Sequence, residues 1–143
     1  MAKVALLIGV SEYEPGLNSL PGAVKDVEAM QRVLVNPEMG GFTMADITVL
    51  KNSQRQQIED AIYHLFSNRE KNDLLLFYFS GHGIKDDRGK LYLSTRATKT
   101  QNGKLVTPSA VAASVLHDNI NDSRSQRQVV ILDCAQSQSI LLY

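Results

Sequence analysis

Three near-continuous apolar stretches do most to limit how this chain folds: Lys3–Val10 (KVALLIGV), Asp73–Ser80 (DLLLFYFS) and Gln128–Cys134 (QVVILDC). Their hydrophobicity runs on where a half-exposed strand would alternate. Such runs suit strands buried on both faces, as in a parallel sheet covered by helices. Helical stripes fall between them. Ala23, Val24, Val27, Met30, Val33 and Leu34 recur at helical spacing and end near Asn36-Pro37. Ile58, Ala61, Ile62, Leu65 and Phe66 form a second stripe, with Ser53 placed to cap it. Asp46–Leu50 reads as a short strand between the two. Leu91–Leu93 reads as one arm of a hairpin after the DDRGK turn, and Thr107-Pro108 as a cap and first-turn proline opening a helix to about His117. The segments SEYEPGLNSLPG, MGGF and NINDSRSQRQ read as connectors. The order β-α-β-α-β, a small hairpin, then α-β predicts an α/β fold, a three-layer α/β/α sandwich on a mostly parallel sheet. A chain of 143 residues suffices for one such domain, and we read 1–143 as a single unit without repeats or linkers.

Several function classes are disfavoured at once. Fifteen basic and fifteen acidic side chains cancel, which removes the general electrostatic case for nucleic acid or an anionic membrane as partner. The N-terminal apolar run is too short for a signal or membrane-spanning segment. A single cysteine forbids an internal disulfide and points to a reducing, cytoplasmic setting. Neither a GxGxxG nor a GxxxxGK[ST] pattern is present, so a nucleotide cofactor has no support.

Sites in such sheets form at the carboxyl ends of the strands. There the first apolar run leads into GVSEY, the second closes on SGHG and the third on DCAQS. Glycines on both sides of His82 would let the backbone turn and approach a ligand. His82 would act as general acid or base, and the Gly83 amide would face a developing oxyanion. The plainer reading is a capped strand end with a surface histidine. In DCAQS, strand parity sends Asp133 and Ala135 to one face and Cys134 to the other. The lone thiol would then not share the pocket of Asp133, and Cys134 reads as a small buried hydrophobe.

The stretches KVALLIGVSEY, LPGAVKDVEAM, DLLLFYFSGHG and QVVILDCAQS, in this order and spacing, resemble the caspase-like cysteine peptidase superfamily in its metacaspase/orthocaspase branch. The resemblance implies the caspase-like fold and a Cys-His dyad cleaving protein or peptide substrates. It implies that the histidine of SGHG partners a cysteine in the middle of D-[AC]-C-[HQR]-S, with the amides of Gly83 and of residue 135 holding the oxyanion. The position of that cysteine is Ala135, and the first cysteine of a D-C-C pattern falls on Cys134. Either a deliberate Cys→Ala substitution or a natural pseudopeptidase gives this pattern; the intact frame favours the first. The resemblance also implies an acidic pocket for the residue before the cut, built from Asp26 and Asp133, with Ser80 and Cys134 adjoining it. Two carboxylates suit a guanidinium or ammonium, so cleavage after Arg or Lys is expected. Alone, Asp26 reads as a solvated acid in the first turn of a helix.

The chain also departs from the family pattern. Gln138 stands where glycine usually follows D-x-C-x-S, and the tail QSILLY is unusually apolar. The chain stops eight residues after Ala135, where the family usually continues into a smaller p10-like portion. We therefore expect a p20-like portion alone, with an exposed sheet edge at the last strand that pairs with the p10-like portion or with a second copy. Asp86 and Asp87 of DDRG could offer carboxylates to calcium, which some metacaspases need, but two adjacent acids are no ligand set and a polar turn is the better reading. No other metal site is expected. His64 and His117 read as structural or solvated. Tyr63, Tyr78 and Tyr92 carry no pattern that separates binding from packing.

Overall fold

The computed structural model describes residues 1–135, and residues 139–142 by their backbone. Strand β1 (Lys3–Gly9) leads into helix α1 (Pro21–Val35), strand β2 (Ile47–Lys51) and helix α2 (Arg55–Phe66). Strand β3 (Leu74–Gly81) is separated by one residue, His82, from β4 (Gly83–Lys85). Then come β5 (Leu91–Leu93), the short hairpin β6 (Thr100–Gln101) and β7 (Lys104–Leu105), and β8 (Val111–Ala112). Helix α3 (Ala113–Asp122), β9 (Arg127–Cys134) and β10 (Ser139–Leu142) complete the order.

The main sheet has the order β10-β9-β3-β1-β2. β2, β1, β3 and β9 run parallel, and β10 turns back antiparallel along β9. The central strands are the apolar runs; β1 and β3 are covered on both faces, whereas β9 is buried only on alternate residues and leaves Val129 exposed on its other face. Leu6, Ile8, Phe77, Phe79, Val130 and Leu132 point toward α2 and α3, where Ile58, Ile62 and Leu116 meet them. Ala5, Leu7, Leu76 and Tyr78 point the other way, toward Val27 and Leu34 of α1. This is the three-layer arrangement that the alternation of elements predicts.

Local readings moved in three places. Ser53 is buried and is not the cap of α2. Gln54 takes that position, in a reciprocal capping box with Gln57. Thr107-Pro108 opens only a 3₁₀ turn, Thr107–Ser109, and the helix begins at Ala113. Tertiary bonding holds that segment out of a helix. The carbonyl of Ser109 accepts from the hydroxyls of Thr95 at 2.9 Å and Thr98 at 2.6 Å, and Val111 pairs with Leu93 in the small sheet. Finally, β9 is not the sheet edge along its whole length, because β10 pairs with it over Ile131–Cys134.

Candidate active site at the carboxyl rim

The carboxyl ends of β1, β3 and β9 meet at one rim, and the loop after β1 lies across it. That loop is held at several points. Asn52, at the end of β2, accepts the amides of Ser11 at 2.8 Å and Glu12 at 3.0 Å through its Oδ1. The Leu20 amide donates to the Ser11 carbonyl at 2.8 Å, and the Val24 amide to Ser11 Oγ at 3.0 Å. These bonds carry Asn18 over the end of β3.

His82 is buried there, 5% exposed, which corrects the surface-histidine alternative. Its Nε2 lies 2.8 Å from the carbonyl oxygen of Asn18. A carbonyl only accepts, so Nε2 carries a proton. Nδ1 is buried and has no hydrogen-bond partner among the described residues. A bare lone pair is the less costly orphan at that atom, since a buried N–H without an acceptor loses its hydration outright. The neutral imidazole is therefore in the Nε2–H form, with a free base at Nδ1.

Both glycines of SGHG are demanded by packing. Neither adopts a positive φ, so a sharp turn is not their reason. A Cβ at Gly81 would stand 2.9 Å from the hydroxyl of Tyr13 and 2.9 Å from the ring of Phe79. A Cβ at Gly83 would stand 2.7 Å from Sγ and 2.8 Å from Cβ of Cys134. Tyr13 was not singled out by any pattern, although it lies in the GVSEY stretch at the end of β1. Burial pushes its phenol above the ordinary value, against the opposing pull of its Ser94 and His82 hydrogen bonds.

Strand parity holds to the end of β9. Cys134 packs in the core on the α2/α3 side with Val130 and Leu132. Burial, with a smaller contribution from the Asp133 charge, pushes its thiol up to about 11. Such a thiol is almost wholly protonated near neutral pH, the opposite of an activated nucleophile. Ala135 is exposed at the rim. Its amide donates to the Gly81 carbonyl at 3.0 Å, so in this arrangement that N–H is part of the sheet ladder and is not free for an oxyanion.

On the α1 side, Asp26, Ala29, Met30, Val33, Tyr78 and Asp133 line an open cleft of about 360 Å³. Ser80 Oγ donates to Asp26 at 3.4 Å, and Ser80 is the register partner of Asp133. Among the described residues neither carboxylate has a cationic partner. Two acids thus stand over an apolar wall with their charge uncompensated. A wider polar groove of about 630 Å³ lies at the opposite rim, beside the ends of α2 and α3, and contains Arg69 and Arg124. It is remote from His82. Asp86 accepts the amides of Arg88 and Lys90, each at 2.9 Å, and Asp87 pairs with Lys104 at 3.1 Å. Those two acids stabilise a turn. His64 and His117 are exposed on their helices.

A helix-flanked parallel sheet with its polar groups gathered at the carboxyl rim belongs to the α/β proteins that place sites at strand ends. The fold is similar to that of protein GSU0716 from Geobacter sulfurreducens, with a TM-score of 0.69 at 18% identity over 92% of this chain and 49% of that one. A family model described as the caspase domain (Peptidase C14) matches residues 2–141, and the chain belongs to that family of caspase-like cysteine peptidases. Metacaspase-8 of Arabidopsis thaliana is 35% identical over 92 residues, 59% of this chain and 23% of its own length. Metacaspase-1 of Yarrowia lipolytica is 38% identical over 89 residues, 57% of this chain and 19% of its own. The chain thus spans about a fifth of these relatives.

Proposed function

We propose that this chain is the p20-like catalytic portion of a metacaspase-type cysteine endopeptidase that acts after Arg or Lys, in a form that binds substrate but cannot cut it. The observation that carries the reading is His82: a buried imidazole, proton on Nε2 toward Asn18, and an Nδ1 lone pair with no partner among the described residues. With a thiol at position 135, Nδ1 would take the S–H proton and the sulfur would attack the peptide carbonyl. The Gly83 amide would face the oxyanion. The Asn18 carbonyl would support the imidazolium through Nε2–H. That imidazolium would then return its proton to the leaving amine, and water would hydrolyse the thioester. A methyl group at Ala135 allows none of these steps after binding.

Basic specificity rests on Asp26 and Asp133, which share one cleft and have no cationic partner among the described residues. The apolar wall of Met30, Val33 and Tyr78 would take the aliphatic stem of a Lys or Arg. Partners are peptides or proteins carrying such a residue. A p10-like portion or a second copy would add to the sheet beyond β10 or replace it. No described helix is long and apolar enough to cross a membrane, and a cytoplasmic setting agrees with the single buried thiol.

Ala135 itself favours a second reading, a non-catalytic pseudocaspase that serves as an adaptor. Restoring the sulfur separates the two. Ala135→Cys should hydrolyse an Arg- or Lys-containing fluorogenic peptide, and His82→Ala in that background should abolish it. Silence from Ala135→Cys, with the p10-like portion also supplied, would leave the adaptor.

A further inference from the structure

We propose that Tyr13 is a positioning residue for His82, its phenol fixing the histidine backbone while its ring bears on the imidazole. Three hydrogen bonds meet at this one oxygen. It donates to the Val10 carbonyl at 2.8 Å. It lies 2.8 Å from Ser94 Oγ and accepts the backbone N–H of His82 at 2.9 Å. One donated and two accepted bonds exhaust a phenol, so the hydroxyl has a single arrangement. Those partners sit at the end of β1, after β5 and at the junction of β3 with β4. Tyr13 therefore ties together the three pieces of backbone around the histidine.

The ring acts as well. Its centroid lies 4.7 Å from that of the imidazole, tilted by 58°, within the range of favourable aromatic pairs. The imidazole is thereby held between the tilted Tyr13 ring and the Asn18 carbonyl. Nδ1, with no partner of its own among the described residues, depends on those two contacts for its direction. The missing side chain at Gly81 belongs to the same device, since a Cβ there would displace the phenol. Tyr13 touches no reacting atom. It acts through His82, and its consequence for turnover rests on the peptidase reading above.

The test begins with the chain as it is, by nitrogen-15 NMR of the imidazoles, with His64 and His117 as internal references. The parent should show His82 as the Nε2–H form with a slowly exchanging ring proton. Tyr13→Phe keeps the ring and removes the three bonds; exchange of that proton should quicken at least tenfold, and the ring nitrogens should move toward a mixture of tautomers. Ser94→Ala removes one support and should give a smaller shift in the same direction, which keeps the test decisive if Tyr13→Phe does not fold. Unchanged His82 signals in whichever variants fold would overturn the proposal. In an Ala135→Cys background, Tyr13→Phe should lower kcat on the order of 10- to 100-fold with KM within about twofold. A shifted tautomer together with no hydrolysis by Ala135→Cys would uphold the positioning role and defeat the peptidase reading instead.

Discussion

A methyl group added to Gly83 would meet Sγ of Cys134 at 2.7 Å and its Cβ at 2.8 Å. The lone thiol of the chain is thus a packing partner of the SGHG segment, on the side of the sheet away from Asp133. It fills the space that a glycine leaves.

Gly83→Ala should cost about 1–3 kcal/mol, as overpacking of a close contact does. The obstruction includes the Cβ of Cys134, which cannot swing aside as a side-chain tip can. Gly81→Ala should cost a similar amount by pressing on Phe79 and Tyr13. Urea unfolding monitored by circular dichroism measures both. A variant as stable as the parent would show that the rim has slack these contacts do not suggest.

Cys134 should be chemically quiet. Raising a thiol from 9.0 to about 11 lowers its thiolate fraction near neutral pH by about 100-fold, since each unit is tenfold. Burial at 2% exposure adds a steric barrier. Iodoacetamide should label the native chain at least 100-fold more slowly than the urea-unfolded chain. In Ala135→Cys, the new thiol should be the one that reacts. Rapid native labelling at Cys134 would contradict its placement in the core.

The acidic cleft should bind cationic peptides in the chain as it stands. Removing either charge by Asp26→Asn or Asp133→Asn should weaken an Arg-containing peptide about tenfold, the scale of one charge-assisted hydrogen bond. Added salt should weaken binding in the parent more than in either variant. Fluorescence anisotropy of a labelled peptide, with a Glu-containing control, reads this directly. Equal affinity for both peptides would remove the case for basic specificity.

Asp73 makes stability depend on acid. It accepts the Glu70 amide at 2.8 Å and the Ala2 amide at 2.9 Å, and these two bonds hold its carboxyl below the ordinary 3.8. A depressed value means that the folded state prefers the ionised form. The contribution is therefore complete above the unfolded value and disappears as pH falls from about 3.8 through the lowered one. Asp73→Asn should be less stable than the parent at pH 6, and the gap should close in strong acid. A gap independent of pH would assign the effect to shape alone.

Much of this architecture was legible in the residues. The apolar runs at 3–10 and 73–80 announced doubly covered strands because burial on two faces removes alternation; the run at 128–134 forms a strand too, but its burial alternates, because its other face is only partly covered. The separation of Asp133 from Cys134 followed from the two-residue period of a strand. Family likeness drew attention to Asp26, and the fold places it on the same cleft as Asp133. All of these depend on short-range periodicity or on motifs read along the chain.

What only the tertiary structure decided concerns contacts between distant segments. The Asn18 carbonyl reaches His82 across 64 positions and the Tyr13 phenol across 69, and neither residue stands out locally. The helix start expected at Thr107 moved to Ala113 because Thr95, Thr98 and the small sheet claim the intervening backbone. The glycines of SGHG turned out to answer to Tyr13, Phe79 and Cys134. Local pattern governs which backbone shape a segment prefers. Side-chain partners are chosen when strands from separate parts of the chain are brought into register, and only then does a histidine acquire a carbonyl to point at.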